Sequence, residues 1–452
     1  QRAWPAGLRN KSDIMKLRFA LCVFFAAILL TDAGAQVTAQ WRGPGRDGNY
    51  PGTGLQKVWP EQGPKLLWHY EGLGEGHASA AVAGGRVFTA GLIEGIGYLF
   101  CLDAGGKLVW KVPYGEEWTE SYPGVRSTPV VFDGKVYLFS SFGKIVCRRA
   151  DNGDFVWSVD ILKDYGGPNI KWGVTENLLI DGNRLFCTVG GTEANVIALD
   201  PSNGKLLWKC AGKGETSAYG SPAVVHLKDR TLLVTHTASS ILGIDAATGK
   251  MLWTVDQPNK YSVHANTPLY HDGLLYCVSG YGKGGVMLQV APDGLSVKEL
   301  WRNTNIDNRM GGVVLVNGKI FGSDDAGKAW HCVDWKTGAT MFSEKITARG
   351  NIIFSDGMLY LYGDNGEVVL AEPQVNSFRK VSSFKVPFGT DQHWAHLVID
   401  GGRLMFLGYE ATTRKRANPT VEAHIHAIGL AMLLGLMIYV TFANDFGLAG
   451  SK

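Results

Sequence analysis

The chain has 452 residues, of which 59 are glycine and 14 tryptophan, with 45% apolar and 19% charged residues. That composition supplies a large core and excludes a disordered chain. The net charge is +3, acids and bases are interspersed, and the body of the chain has no Lys/Arg run, so nothing points to nucleic acid as a partner. Residues 1–14 precede Met15 and are expected to be an upstream, non-native extension. Residues 15–35 have the form of a signal peptide: a basic start, an apolar run from Phe19 to Leu30, and Ala33-Gly34-Ala35 before Gln36. The run is too short to span a bilayer, and Cys22 lacks the small residues a lipoprotein site needs before it. The expected location is therefore periplasmic or secreted. Export permits disulfides, but of the six cysteines after the leader, Cys101, Cys147 and Cys332 share one repeat position and Cys187 and Cys277 another. Equivalent positions in stacked sheets lie roughly 10 Å apart, beyond disulfide reach. They are expected to be buried free thiols.

From Trp68 onward one pattern returns. "LDAGGKLVW" ends at Trp110, "ADNGDFVW" at Trp157, "ALDPSNGKLLW" at Trp208 and "IDAATGKMLW" at Trp253. Trp301, Phe342 and Phe384 continue the series at intervals of about 40–50 residues, the period of a propeller blade. Each interval holds a short strand with a small or polar start and a two-residue turn such as Asp133-Gly134, Asp181-Gly182, Asp272-Gly273 or Asn317-Gly318. An alternating strand follows, then a third strand running into Asp-x-x-x-Gly and a fourth ending at the aromatic mark. Asp-Gly and Asn-Gly pairs accept the positive φ of tight hairpins. The prediction is an all-β, eight-bladed β-propeller of four-stranded antiparallel blades spanning 36–408. "GPKLLWHY" around Trp68 has the form of a fourth strand without its first three. His393–Gly408 has the form of a blade's first two. The ring is therefore expected to close by the N-terminal strand joining the C-terminal blade.

The tail, 409–452, breaks the pattern. "YEATTRKRANPT" is polar and basic, and Ala427–Ala443 is a continuous apolar run, about 26 Å long as a helix. Its end is similar to the last membrane helix of site-2 type intramembrane proteases, but no HExxH motif accompanies it. Three readings stand: a membrane anchor, a product of frame shift or gene joining, and a divergent strand pair.

Asp-x-x-[Thr/Asn]-Gly-Lys-x-x-Trp resembles the repeat of pyrroloquinoline-quinone (PQQ) type propellers over about 41–408. "WRGPGRDGNY", "SYPGVRSTPVV", "KWGVTENLLIDG" and "NTPLYHDG" resemble exported PQQ-like propeller proteins. The resemblance extends to quinoprotein alcohol dehydrogenases and to the outer-membrane β-barrel assembly lipoprotein. The first implies PQQ over a Ca²⁺ held by Glu, Asn and Asp oxygens, with an Asp as base. Here Glu176 and Asn177 are candidate oxygen donors and Asp307 a weak candidate base. Neighbours on one strand point to opposite faces, so Glu176 and Asn177 are not expected to share an ion. The chain has no Cys-Cys pair and no Cys-x-x-Cys-His site. The favoured expectation is a ligand-binding or scaffolding module at the cell envelope, without cofactor or catalysis. A PQQ- and Ca²⁺-dependent oxidoreductase is the alternative.

Entries of the innermost strands should line one mouth of the channel. Those positions hold His77, Arg126, Trp172 with Glu176, Tyr219, and His264 with Asn266. Arg309, Arg349 and His393 with His396 complete the ring. Three Arg facing one Glu suggest an anionic or polar small ligand, with acidic sugar fragments and the carboxylates of the quinone as candidates, and an envelope protein as a second kind of partner. His393-x-x-His396 faces two ways and is not expected to bind zinc. His424-x-His426 has no third ligand nearby, "GYGKGG" at 280–285 is expected to be a plain loop, and no Ser-His-Asp pattern stands out.

Overall fold

The computed structural model describes residues 38–408 apart from 328 and 391. The leader, the upstream extension, Cys22 and the tail with its apolar run and His424-x-His426 lie outside the described residues. Within them the chain forms seven four-stranded antiparallel sheets, at 81–116, 130–160, 179–210, 223–256, 269–303, 314–344 and 350–385, and a two-stranded hairpin at 398–405. In each sheet the strands neighbour one another in sequence order, joined by tight turns. The first strands of neighbouring sheets touch: Ala81–Ala83 meets Val130–Phe132, which meets Leu179–Asp181. First strands are therefore innermost.

The turns follow their chemistry. Asp133-Gly134, Asp272-Gly273 and Asn317-Gly318 all have positive φ at both residues, as a two-residue hairpin with right-handed strands requires. Asp181-Gly182 differs from expectation. Asp181 pairs with Arg184, so the turn is Gly182-Asn183 and only Gly182, at φ 57°, is left-handed.

The repeated Asp-x-x-x-Gly…Trp motif is a device that joins sheets. Each indole lies over the turn of the next sheet rather than its own. A Cβ on Gly153 would lie 3.1 Å from Trp110, one on Gly204 2.7 Å from Trp157, one on Gly249 2.6 Å from Trp208, and one on Gly338 2.5 Å from Trp301. The indole N–H donates to a carbonyl of that turn: Trp110 to Ala150 (3.1 Å), Trp157 to Pro201 (3.0 Å), Trp208 to Ala246 (3.1 Å), Trp253 to Gly294 (3.2 Å) and Trp301 to Lys336 (3.0 Å). Positive φ and a flat ring overhead both demand glycine. The Asp fixes the turn: Asp200 accepts from the Ser202 amide at 2.8 Å. Opposite three aromatic marks within their own sheets stand cysteines, pairing Cys101 with Trp110, Cys147 with Trp157 and Cys332 with Phe342. All six described cysteines are buried and free.

The N-terminal segment takes part in the same device. Phe384 covers Gly63, where a Cβ would lie 2.6 Å from the ring, and Trp68 covers Gly106 at 2.4 Å and donates to Ala104 O at 3.1 Å. Trp68 and Tyr70 pack into the cluster that holds Leu397, Val398 and Ile399. Residues 63–70, expected as a fourth strand, form no strand. Among the described residues the hairpin has two strands, the second being Arg403–Met405, and no third strand there offers them a ladder. No helix among the described residues is long and apolar enough to cross a membrane.

Candidate functional site

The stretch "WRGPGRDGNY" runs across the inner ends of the sheets and forms a floor. Ala39 exchanges two backbone bonds with Val131, and Tyr50 N–H and Gly48 O bond Phe354. Its two arginines are buried, 1% and 4% exposed. Arg42 donates to Gly311 O (3.0 Å), Asp47 O (3.0 Å) and Val313 O. Arg46 donates to Leu178 O (2.9 Å), Asn177 O (2.8 Å), Pro222 O (3.1 Å) and Gln40 Oε1 (3.0 Å). Carbonyls at the entries of several inner strands, which have no ladder partner there, thus converge on two five-donor forks. Burial lowers both guanidinium pKa values to about 10, which leaves them charged at neutral pH.

Above this floor, with Trp41 and His396 at its base, lies a cavity of about 210 Å³. Its walls are aromatic: Tyr122, Trp172, Tyr219, Tyr281 and Trp394. The rings touch in series, Tyr122 to Trp394 at 5.2 Å and Trp172 to Tyr219 at 6.1 Å between centroids. Tyr122, Tyr219 and Tyr281 all have left-handed backbone, φ 58°, 63° and 63°. Such a conformation in a bulky residue costs roughly 1–2 kcal/mol, and such strain gathers at functional sites. Each precedes Gly or Pro, in "SYPG", "AYGS" and "GYGK". Tyr219 alone was singled out by position. That shared signature marks Tyr122 and Tyr281 as well.

Of the residues expected at the mouth, His77, Arg126, Trp172, Glu176, Tyr219, Arg309 and His396 line this cavity. The other four do not. His264 is buried, with Nδ1 2.6 Å from Ser279 Oγ, and its ring stacks on His236 at 5.2 Å. Asn266 ties neighbouring loops, donating to Asn308 O (2.7 Å) and accepting from Gly312 N (2.9 Å). Arg349 is held between Asp325 and Asp364, and His393 Nδ1 lies 2.6 Å from the Tyr362 hydroxyl.

The electrostatics differ from a free cationic ring. Asp325 lies between Arg349 and Arg309, 3.4 Å from the latter, and Asp364 is 3.0 Å from Arg349. Two carboxylates so offset two guanidiniums. Arg126 donates only to carbonyls, those of Trp172 and, at 2.8 Å, Tyr122. Glu176 is 3% exposed. Its Oε2 accepts from Thr188 N at 3.0 Å and its Oε1 has no protein partner. Burial lifts its pKa to about 8, against the pull of that bond. Burial also lowers His77 to about 3 and His264 to about 4.

A calcium-held quinone does not fit these donors. Glu176 and Asn177 both face the cavity, contrary to the expectation of opposite faces, because they precede the strand Leu179–Asp181 rather than lie in it. Asn177 is nevertheless consumed, its Oδ1 by Thr128 N (2.7 Å) and its amide by Ser221 Oγ (2.9 Å). Glu176 is half protonated near pH 8, whereas Ca²⁺ asks for about six to eight oxygens, several anionic. Asp307, the candidate base, accepts from the amides of Gly282 (2.8 Å) and Gly284 (3.3 Å) and is not in the cavity wall. One arrangement absent from the sequence reading is the chain Ser343 Oγ–His331 Nδ1 (2.7 Å) and His331 Nε2–Asp324 (2.8 Å). Ser343 lies on an exposed outer strand opposite His331, a cross-strand pair rather than part of the cavity.

The repeated sheets, the indole-over-glycine docking and the aromatic mouth define a PQQ-repeat β-propeller. Residues 97–344, more than half of the chain, match the family model described as outer membrane protein assembly factor BamB, and the chain belongs to that family. It is 29% identical over 138 residues to outer membrane protein assembly factor BamB of Kangiella koreensis, covering 30% of this chain and 32% of that protein. It is 23% identical over 237 residues to quinoprotein alcohol dehydrogenase PedH of Pseudomonas putida, covering 51% of this chain and 31% of that protein. The matches span about a third of the length of these relatives. Among solved structures, a europium-containing methanol dehydrogenase superposes with a TM-score of 0.58 at 12% identity, covering 82% of this chain and 88% of that one. That likeness is one of fold.

Proposed function

We propose that this protein is an exported, non-catalytic binding module of the cell envelope that holds a small polar ligand at its channel mouth. The observation that carries the reading is the set of three strained tyrosines, Tyr122, Tyr219 and Tyr281, whose side chains all line one cavity. A fold keeps such strain where the side chain's position has a use. Arg126, Asn177 and Ser221 are fixed by protein partners, while Glu176 Oε1, Arg309 Nε and Trp394 Nε1 have none, an arrangement that suits recognition of a polar ligand. An eight-bladed ring closed by the N-terminal segment belongs to the same reading. It is supported by Phe384 on Gly63 and Trp68 on Gly106, which repeat the contact made between every other pair of neighbours that carries the motif. Scaffolding of envelope proteins is the second role, favoured by the family and by exposed apolar pairs on outer strands, such as Leu108-Val109 and Leu206-Leu207.

The discriminating experiment adds PQQ and Ca²⁺ to the purified protein and follows dye reduction with simple alcohols. No alcohol-dependent reduction is expected. Reduction that requires both PQQ and Ca²⁺ would replace this reading with the quinoprotein one.

A further inference from the structure

We infer that the ligand of the channel mouth is a single-ring, polyhydroxylated monocarboxylate of the hexuronic acid type, its carboxylate on Arg126 and its ring on the tyrosine and tryptophan faces. The inference rests on the binding-module reading above and gives that site its chemistry. Three observations lead to it.

The first is charge. Arg309 and Arg349 are offset by Asp325 and Asp364, whereas Arg126 has carbonyl partners only. Glu117 acts on Arg126 through its charge but is not paired with it directly, and burial raises the Glu117 pKa. A guanidinium with no carboxylate bonded to it matches one carboxylate on the ligand, and the planar fork suits it. Burial also keeps much of Glu176 neutral at pH 7, so it does not repel an anion.

The second is the wall. A cavity of about 210 Å³ is below the roughly 300–1,000 Å³ usual for drug-sized ligands, which restricts the guest to about one ring. Indole and phenol faces offer flat apolar surfaces to the C–H face of a sugar or to an aromatic ring.

The third decides between those two rings. Glu176 Oε1, Trp394 Nε1 and Arg309 Nε are buried polar atoms without a protein partner, and all three residues line this cavity. Buried polar groups are seldom left unpaired. A benzoate-like acid has nothing to offer them. Ring hydroxyls, which both donate and accept, answer a carboxyl oxygen and two N–H donors together.

The test is isothermal titration at pH 7 with D-galacturonate and D-glucuronate, with D-glucose and benzoate as the arms lacking the carboxylate and the hydroxyls. At least one uronate is expected to bind, and glucose and benzoate each about tenfold or more weakly, the loss of one charge-assisted contact or of the hydroxyl set. Arg126→Gln should weaken uronate by about tenfold while leaving glucose unchanged, and Arg126→Lys should recover part of it. Thermal unfolding checks that both variants fold; if Arg126→Gln does not, Arg126→Lys carries the comparison. No uronate binding at millimolar concentration, equal binding of glucose or benzoate, or uronate affinity unmoved by both substitutions would overturn the inference. None of those results produces alcohol-dependent dye reduction, so failure here is distinct from failure of the binding-module reading.

Discussion

Two glycines of one sheet separate the cost of left-handed backbone from the cost of crowding the neighbouring indole. Gly182 has φ 57° with open space around a would-be Cβ. Gly204 has φ 74°, and its Cβ would fall 2.7 Å from Trp157 Cε3 and 2.9 Å from Cδ2. Alanine at either position adopts the left-handed region at about 1–2 kcal/mol. At Gly204 it must also displace a ring that is 7% exposed and hydrogen-bonded to Pro201. Overpacking of that kind adds about 1–3 kcal/mol. Gly204→Ala should therefore lose about 2–5 kcal/mol and Gly182→Ala about 1–2. Urea unfolding followed by tryptophan fluorescence and by far-UV circular dichroism measures both. The crowding component belongs to the pair, so in a Trp157→Ala background, itself about 3–5 kcal/mol weaker, Gly204→Ala should fall back to the Gly182→Ala value. Equal losses at the two glycines, or an undiminished loss at Gly204 without the indole, would refute the account of how neighbouring sheets are joined.

Arg46→Met removes the donor to Leu178, Asn177 and Pro222 carbonyls and should destabilise by about 3–5 kcal/mol, seen as a lower denaturant midpoint. Glu176 carries a pH signature. Its folded pKa of about 8 lies above the unfolded value, so the native state holds a proton that the unfolded chain has released, and stability falls as pH rises from about 7 to 8. Glu176→Gln should flatten that slope in unfolding measured across this range. Below about 7 the sign reverses, because four histidines outweigh one carboxyl. His77, His236, His264 and His396 are held below their ordinary value by burial, the unfolded chain takes up protons first, and stability drops with acid. Tyr122→Gly should change stability by less than about 1 kcal/mol, because relief of its left-handed backbone offsets the loss of a side chain that is 44% exposed. The same variant should weaken binding at the mouth, read by titration with D-galacturonate.

The sequence by itself determined the repeat and its mechanical parts. Asp200, Gly204 and Trp208 can be recognised as one unit from spacing alone, because a hairpin needs positive φ at a fixed offset and the outer strand with its indole follows at once. The cysteines were legible for the same reason, since a small apolar residue must stand opposite a large ring. What spacing could not give is which sheet the ring touches. Trp157 lies over Gly204 of the next sheet, a contact between residues far apart in the chain. The binding mouth was half legible. Strand entries located Arg126, Trp172 and Glu176, because first strands line the channel in any such wheel. Only the tertiary structure decided that Arg349 is neutralised by Asp325 and Asp364, that Asn177 is consumed by Thr128 and Ser221, and that "WRGPGRDGNY" lies across inner strand ends with Arg42 and Arg46 bonded to their carbonyls. Those outcomes depend on which groups meet after the chain has closed on itself, and local sequence fixes the identity of a side chain but not the partner that uses up its charge.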